Sequence, residues 1–236
     1  MTSSGPAAAA SGPSRPTELN ALVAEVSRAT LRVRWTSERL LADFCRRSPA
    51  AILDDGTIGF TCPCVDLSGL LAWRAADAGL EPRLVLTRIA RPGRQVKVQG
   101  LVELDLGPHT WVVGFSETAI RVHAGSVPVT RHRTHVWRAP FDRASRGEQT
   151  FLEHFVRAGV DGLGDLVKSY DLDADLAWHC RRQSAWRFHW LRLRSARKRG
   201  PAVHPATPSW AASARAVPRL LAPDVARPDR PDREAP

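Results

Sequence analysis

Cysteine and lysine are scarce in this chain, and it contains no long apolar run. Four cysteines among 236 residues, Cys45, Cys62, Cys64 and Cys180, do not make a disulfide framework. The opening MTSSGPAAAASGPSRP has neither a charged start nor an apolar stretch of secretory type, and nowhere do 18 apolar residues follow one another. A secreted disulfide scaffold and a membrane-spanning helix are thereby set aside, and a soluble protein in a reducing, cytoplasmic location is the expectation. No GxGxxG or GxxxxGKS/T motif occurs, so nucleotide binding has no support, and no internal repeat is visible. Cys62-Pro-Cys64 lacks a second cysteine pair at zinc spacing, so neither a metal nor a cofactor is expected.

Only three lysines are present, Lys97, Lys168 and Lys198, yet the formal charge is +10, from 34 Lys+Arg against 24 Asp+Glu. The excess is arginine. Such a balance suits nucleic acid, an acidic surface or an acidic peptide, but it also follows from GC-rich coding. The basic residues are densest in RRQSAWRFHWLRLRSARKRG (181–200), where Trp186, Phe188 and Trp190 alternate with eight basic side chains. Near-helical apolar spacing there favours a core-docking helix with a solvated basic face; the other reading is a surface for an acidic partner. Nucleic acid is not the expected partner.

The hydrophobic content of 43% is enough to bury a core, and the period of the pattern divides the chain. Residues 1–16 and 201–236 are rich in Ala, Pro, Ser or Arg without period and read as disordered tails. Leu19, Leu22, Val23, Val26, Thr30 and Val33 recur at helical spacing, and Ser37 to Arg46 reads as a second helix. SPAAILDDGTIGFT (48–61) reads as a loop turning at Asp-Asp-Gly. Pro63 then opens an apolar helix of about four turns that stops at Gly79. The period changes to two in residues 84–90, 95–104, 109–114 and 119–123, which predicts an antiparallel meander. Residues 147–200 return to helix. The expected class is α+β, with a core domain over 17–145 and a helical extension over 146–200.

Cys64 stands at a helix mouth, where unpaired N–H groups and the helix dipole favour the thiolate. A nucleophilic cysteine also needs a base and a group to orient that base. If the hairpin joining HTWVVG to AIRVH turns at Ser116, Val113 faces Ala119, Trp111 faces Arg121 and His109 faces His123, each pair about 4.5–5.5 Å apart at Cβ. The expected roles are Cys64 nucleophile, His109 base and His123 orienting group, with Trp111 and Arg121 beside them for substrate. Thr61, just upstream, is the oxyanion candidate by position.

Cys64, Asp66, Gly79 and Arg83, followed by His109-Thr110-Trp111-Val112, resemble the pattern of the transglutaminase-like branch of the papain-like cysteine enzymes, over about residues 57–126. The resemblance implies a papain-like core of N-terminal helices, nucleophile helix and antiparallel sheet. It also implies a cysteine peptidase or transglutaminase acting on a peptide or protein through a thioacyl intermediate. In compactness and in the His-x-Trp-Val strand the chain is most similar to the small leader peptidases of lasso-peptide-type pathways. The family's third member is usually aspartate, whereas His123 stands near that position here; a related peptidase branch uses histidine there. That branch also carries Asp-Cys-Ser-Gly-Leu, which DLSGL (66–70) resembles with Leu67 in place of cysteine. In that alignment the nucleophile is absent. The chain would then be a binding module that recognises an acidic peptide or nucleic acid through its basic helix.

Overall fold

A computed structural model describes residues 16–61, 63–90, 96–117, 119–164, 166 and 170–182. Cys62, the tail readings for 1–15 and 201–236, and nearly all of the basic segment 181–200 lie outside the described residues. The described residues form a mixed α+β structure with six α-helices and a five-stranded antiparallel sheet. None of their helices is long and apolar enough to cross a membrane.

Helix α1 (Thr17–Ala29) buries the stripe Leu19, Leu22, Val23 and Val26. It ends four residues before Val33, because Leu31–Val33 forms strand β1 instead. Helix α2 (Ser37–Asp43) starts from Thr36, whose hydroxyl accepts the Arg39 N–H at 3.2 Å. The expected loop over 48–61 is corrected: it holds helix α3 (Pro49–Asp55) and strand β2 (Thr57–Gly59), which pairs parallel with β1. The local chemistry accounts for this. Ser48 caps the Ala51 N–H at 3.2 Å, Pro49 begins the first turn, and Gly56 at φ +64° closes the helix with its N–H on Ile52 C=O. The Asp-Asp-Gly signal therefore ends a helix.

Helix α4 (Pro63–Asp77) is the central element, with eleven of its fifteen residues buried. Gly79 (φ +85°) stops it as expected, with Gly79 N–H on Ala76 C=O and Leu80 N–H on Ala75 C=O, both at 3.0 Å. At its first turn Asp66 is buried against Arg47 at 2.7 Å, and Arg47 also reaches Asp55 at 2.9 Å. Burial pushes the Asp66 carboxyl up, and Arg47 opposes that shift.

The sheet runs β6-β5-β4-β3-β7, with β3 (Arg83–Ile89), β4 (Lys97–Leu106), β5 (His109–Phe115), β6 (Ile120–Ala124) and β7 (Arg133–Pro140). The meander β3 to β6 matches the period-two runs. Strand β7, which includes most of the arginine-rich RHRTHVWR, adds to the other edge beside β3. The inner face packs Leu84, Leu86, Val102, Leu104, Trp111, Val113 and Phe115 into one core with α1 and α4. Val85, Leu101, Val112 and Val127 form a smaller cluster on the outer face. Helix α5 (Phe151–Arg157) has a capping box at Thr150 and Glu153 and sends Phe151 and Phe155 into the main core. Helix α6 (Leu172–Arg182) lays Leu176 against Trp35 and Leu40.

Candidate functional site

The predicted hairpin register is overturned. The observed pairs are Trp111 with Ala124, Val112 with His123, Val113 with Val122, Gly114 with Arg121 and Phe115 with Ile120. The connection begins at Ser116 instead of centring on it: Ser116 N–H meets Ala119 C=O at 2.9 Å, and Ala119 N–H meets the Ser116 hydroxyl at 3.1 Å. Each partner of β5 is displaced by three residues from expectation. An odd displacement moves every side chain of β6 to the opposite face. His123 and Arg121 therefore stand on the outer face, away from α4, and do not face His109 and Trp111.

His109 closes the tight turn to β4, opposite Leu106, and is exposed. Cys64 lies at the other end of the sheet, in the first turn of α4, where the Val65 Cα comes within 3.2 Å of a Cβ built at Gly100. Phe115 shares a cleft with Cys64, and His109 is six residues from Phe115 along β5, about 20 Å of extended chain. The sheet does not bring His109 to the thiol. Trp111 is corrected as well: it is 4% exposed inside the main core and takes no part in a binding surface.

What surrounds Cys64 is a cleft of about 430 Å³. Its walls are the start of α4 with Thr61 and Cys64, the turn after α2 with Phe44 and Cys45, the start of β4 with Lys97 and Gln99, the end of β5 with Phe115, and α6 with Asp175, Trp178 and His179. Arg121 reaches its rim from β6. No protein-family model, curated protein or solved structure matches this chain. The chemistry of the cleft is therefore argued from its own residues.

Cys64 is half-buried. Burial pushes its thiol up, while the main chain of Gly100 pulls in the other direction and the Asp66 charge adds to the rise. Cys45 is raised further, by burial first and then by Cys64, Asp66 and Asp175, and its backbone takes the left-handed φ of +57° that non-glycine residues seldom adopt. The Thr61 hydroxyl is buried with no hydrogen-bond partner. Of the expected group, Cys64, Thr61 and Arg121 line one cleft, whereas His109, His123 and Trp111 do not.

Sequence reading missed the residues on α6. His179 Nε2 lies 3.4 Å from Asp175 Oδ2, and the Tyr170 hydroxyl donates to the same carboxylate oxygen. Burial pushes the Asp175 carboxyl up, but the bonds from His179 and Tyr170 outweigh it and the net shift is downward. The His179 ring sits 5.5 Å from Phe44 and 4.8 Å from Trp178, and Lys97 Nζ lies 3.0 Å from the Trp178 ring centroid. The available signal was the Asp-x-x-x-His spacing on one helix face. Asp175 was instead absorbed into the acidic start of that helix.

Proposed function

We propose that this protein is a cysteine-dependent amide hydrolase or acyl transferase with a papain-like, transglutaminase-like core, acting on a peptide or protein segment through Cys64. The observation that carries the reading is the position of Cys64: the first turn of the central helix, with its side chain on a cleft of about 430 Å³. A thiolate there attacks an amide carbonyl, giving a thioacyl enzyme that water resolves to an acid or a lysine amine resolves to a new amide. Thr61 stands beside it with an uncommitted hydroxyl, the kind of donor a developing oxyanion needs. The resemblance to small leader peptidases favours an extended peptide as substrate.

A second reading, an inactive binding module, draws on the raised Cys64 thiol. Site-resolved alkylation separates the two. With iodoacetamide at neutral pH and peptide mapping, the enzyme reading expects Cys64 to react faster than both Cys45 and Cys180. It also expects a peptide carrying a carbonyl electrophile to label Cys64 and to leave the Cys64→Ser variant unlabelled. Equal or slower reaction at Cys64 would leave the binding reading in its place.

A further inference from the structure

We propose that His179, oriented by Asp175, is the base that serves Cys64, so that helix α6, and not the sheet, completes the catalytic group. The inference rests on reading Cys64 as the nucleophile. Both side chains line the same cleft, one from the first turn of α4 and the other from the middle of α6. His179 is 8% exposed, and its Nδ1 is buried with no hydrogen-bond partner. Leaving a buried ring nitrogen unpaired is unfavourable, so its retention in the same cleft as a thiol calls for a role.

The tautomer follows from the partner. Asp175 is 5% exposed and its Oδ2 accepts from His179 Nε2, so the ring carries its proton there and presents the lone pair at Nδ1. Tyr170 donates to the same carboxylate, which fixes Asp175 in turn. Phe44 and Trp178 hold the ring from two sides. The other titratable groups around the cleft are Cys45, Lys97 and Glu117, with the Arg121 guanidinium at the rim. Glu117 carries the wrong charge to generate a thiolate beside it, and Lys97 is occupied over Trp178. Nothing among the described residues hydrogen-bonds Nδ1, so the assignment requires that a bound segment filling the cleft bring Nδ1 and the sulfur to hydrogen-bond distance.

The reaction consumes only the amide and one water. His179 Nδ1 takes the Cys64 Sγ proton, and sulfur bonds to the amide carbon while the π pair moves to oxygen. The pair returns, the C–N bond breaks, and the imidazolium proton goes to the leaving amine. Water, deprotonated by the same nitrogen, then displaces sulfur, which recovers its proton. Asp175 is a positioning residue throughout.

The test is the pH profile of Cys64 alkylation in the full chain. Wild type should show an acid limb, and His179→Ala and His179→Gln should both lose that limb and react at least about tenfold more slowly near pH 7. Added imidazole should restore part of the rate to His179→Ala. Asp175→Asn should displace the limb, and Asp175→Glu should return it toward its place. A folded His179→Ala protein that alkylates at the wild-type rate overturns this assignment while leaving the nucleophile reading intact; a wild-type Cys64 no faster than Cys180 overturns both. Should the His179 variants fail to fold, the Cys64→Ser variant decides. Its His179 imidazole, followed by NMR, should titrate at a different pH from wild type, and an unchanged titration overturns the pairing.

Discussion

Glu103 shows how one side chain can organise a whole face of the sheet. It is 1% exposed, accepts Arg138 Nε at 2.9 Å and Nη2 at 3.0 Å, and accepts the Val127 N–H at 2.8 Å. Burial pushes this carboxyl up, but the Arg138 fork and the Val127 N–H prevail and hold it below its ordinary value. A depressed carboxyl contributes stability that is present above the unfolded pKa, about 4.3, and is lost as pH falls through the lower folded value. Glu103→Gln should therefore cost about 1–3 kcal/mol at pH 7 and progressively less below about pH 4, as read from urea midpoints at the two pH values. At this same scale Asp175 and His179 were overlooked: an acidic residue early in a helix already has a sufficient reason in the helix dipole. The i, i+4 spacing to His179 was the local sign of a pair, but whether that pair turns inward depends on how the helix docks.

Elements are placed by contacts that a pattern of apolar residues only partly encodes. Gly79 and the stripe of α4 were legible, because a left-handed stop and a buried face leave direct signatures. Helix α3 was not, although Ser48, Pro49 and Gly56 carry its start and stop; a seven-residue helix is too short for its period to stand out beside a strong turn signal. The contact that seats Cys64 is Gly100 on β4, where an added Cβ would lie 3.2 Å from both the Val65 Cα and the Phe151 ring. Gly100→Ala should push the start of α4 off the sheet, costing about 1–3 kcal/mol in urea unfolding and changing the Cys64 alkylation rate. Gly107→Ala, at φ +62° with open space around it, should lose stability from backbone strain while leaving that rate unchanged.

For the whole molecule, the length of the sheet decides which residues can cooperate. His109 lies at the end of β5 remote from Cys64, so a His109→Ala protein should alkylate at residue 64 at the wild-type rate under mass-spectrometric mapping; a slowed reaction would contradict the strand register. Thr61 and Cys64 could be gathered from sequence because they are neighbours at one helix mouth, whereas Arg121 reaches the cleft in a register that differs from the one expected. The His179 imidazole could not be gathered, since its helix begins more than a hundred residues after Cys64 and reaches the cleft through contacts such as those of Leu176 with Trp35 and Leu40 and of His179 with Phe44. What the sequence by itself determined is the class of the fold, the order of the meander and the helix that opens at Pro63 and carries Cys64 in its first turn, all written in period and in glycine and proline placement. Only the tertiary structure decided the register of β5 on β6 and the company of the thiol. Register depends on which turn buries Phe115, and proximity depends on how α6 docks, and both are set by contacts between segments far apart in the chain.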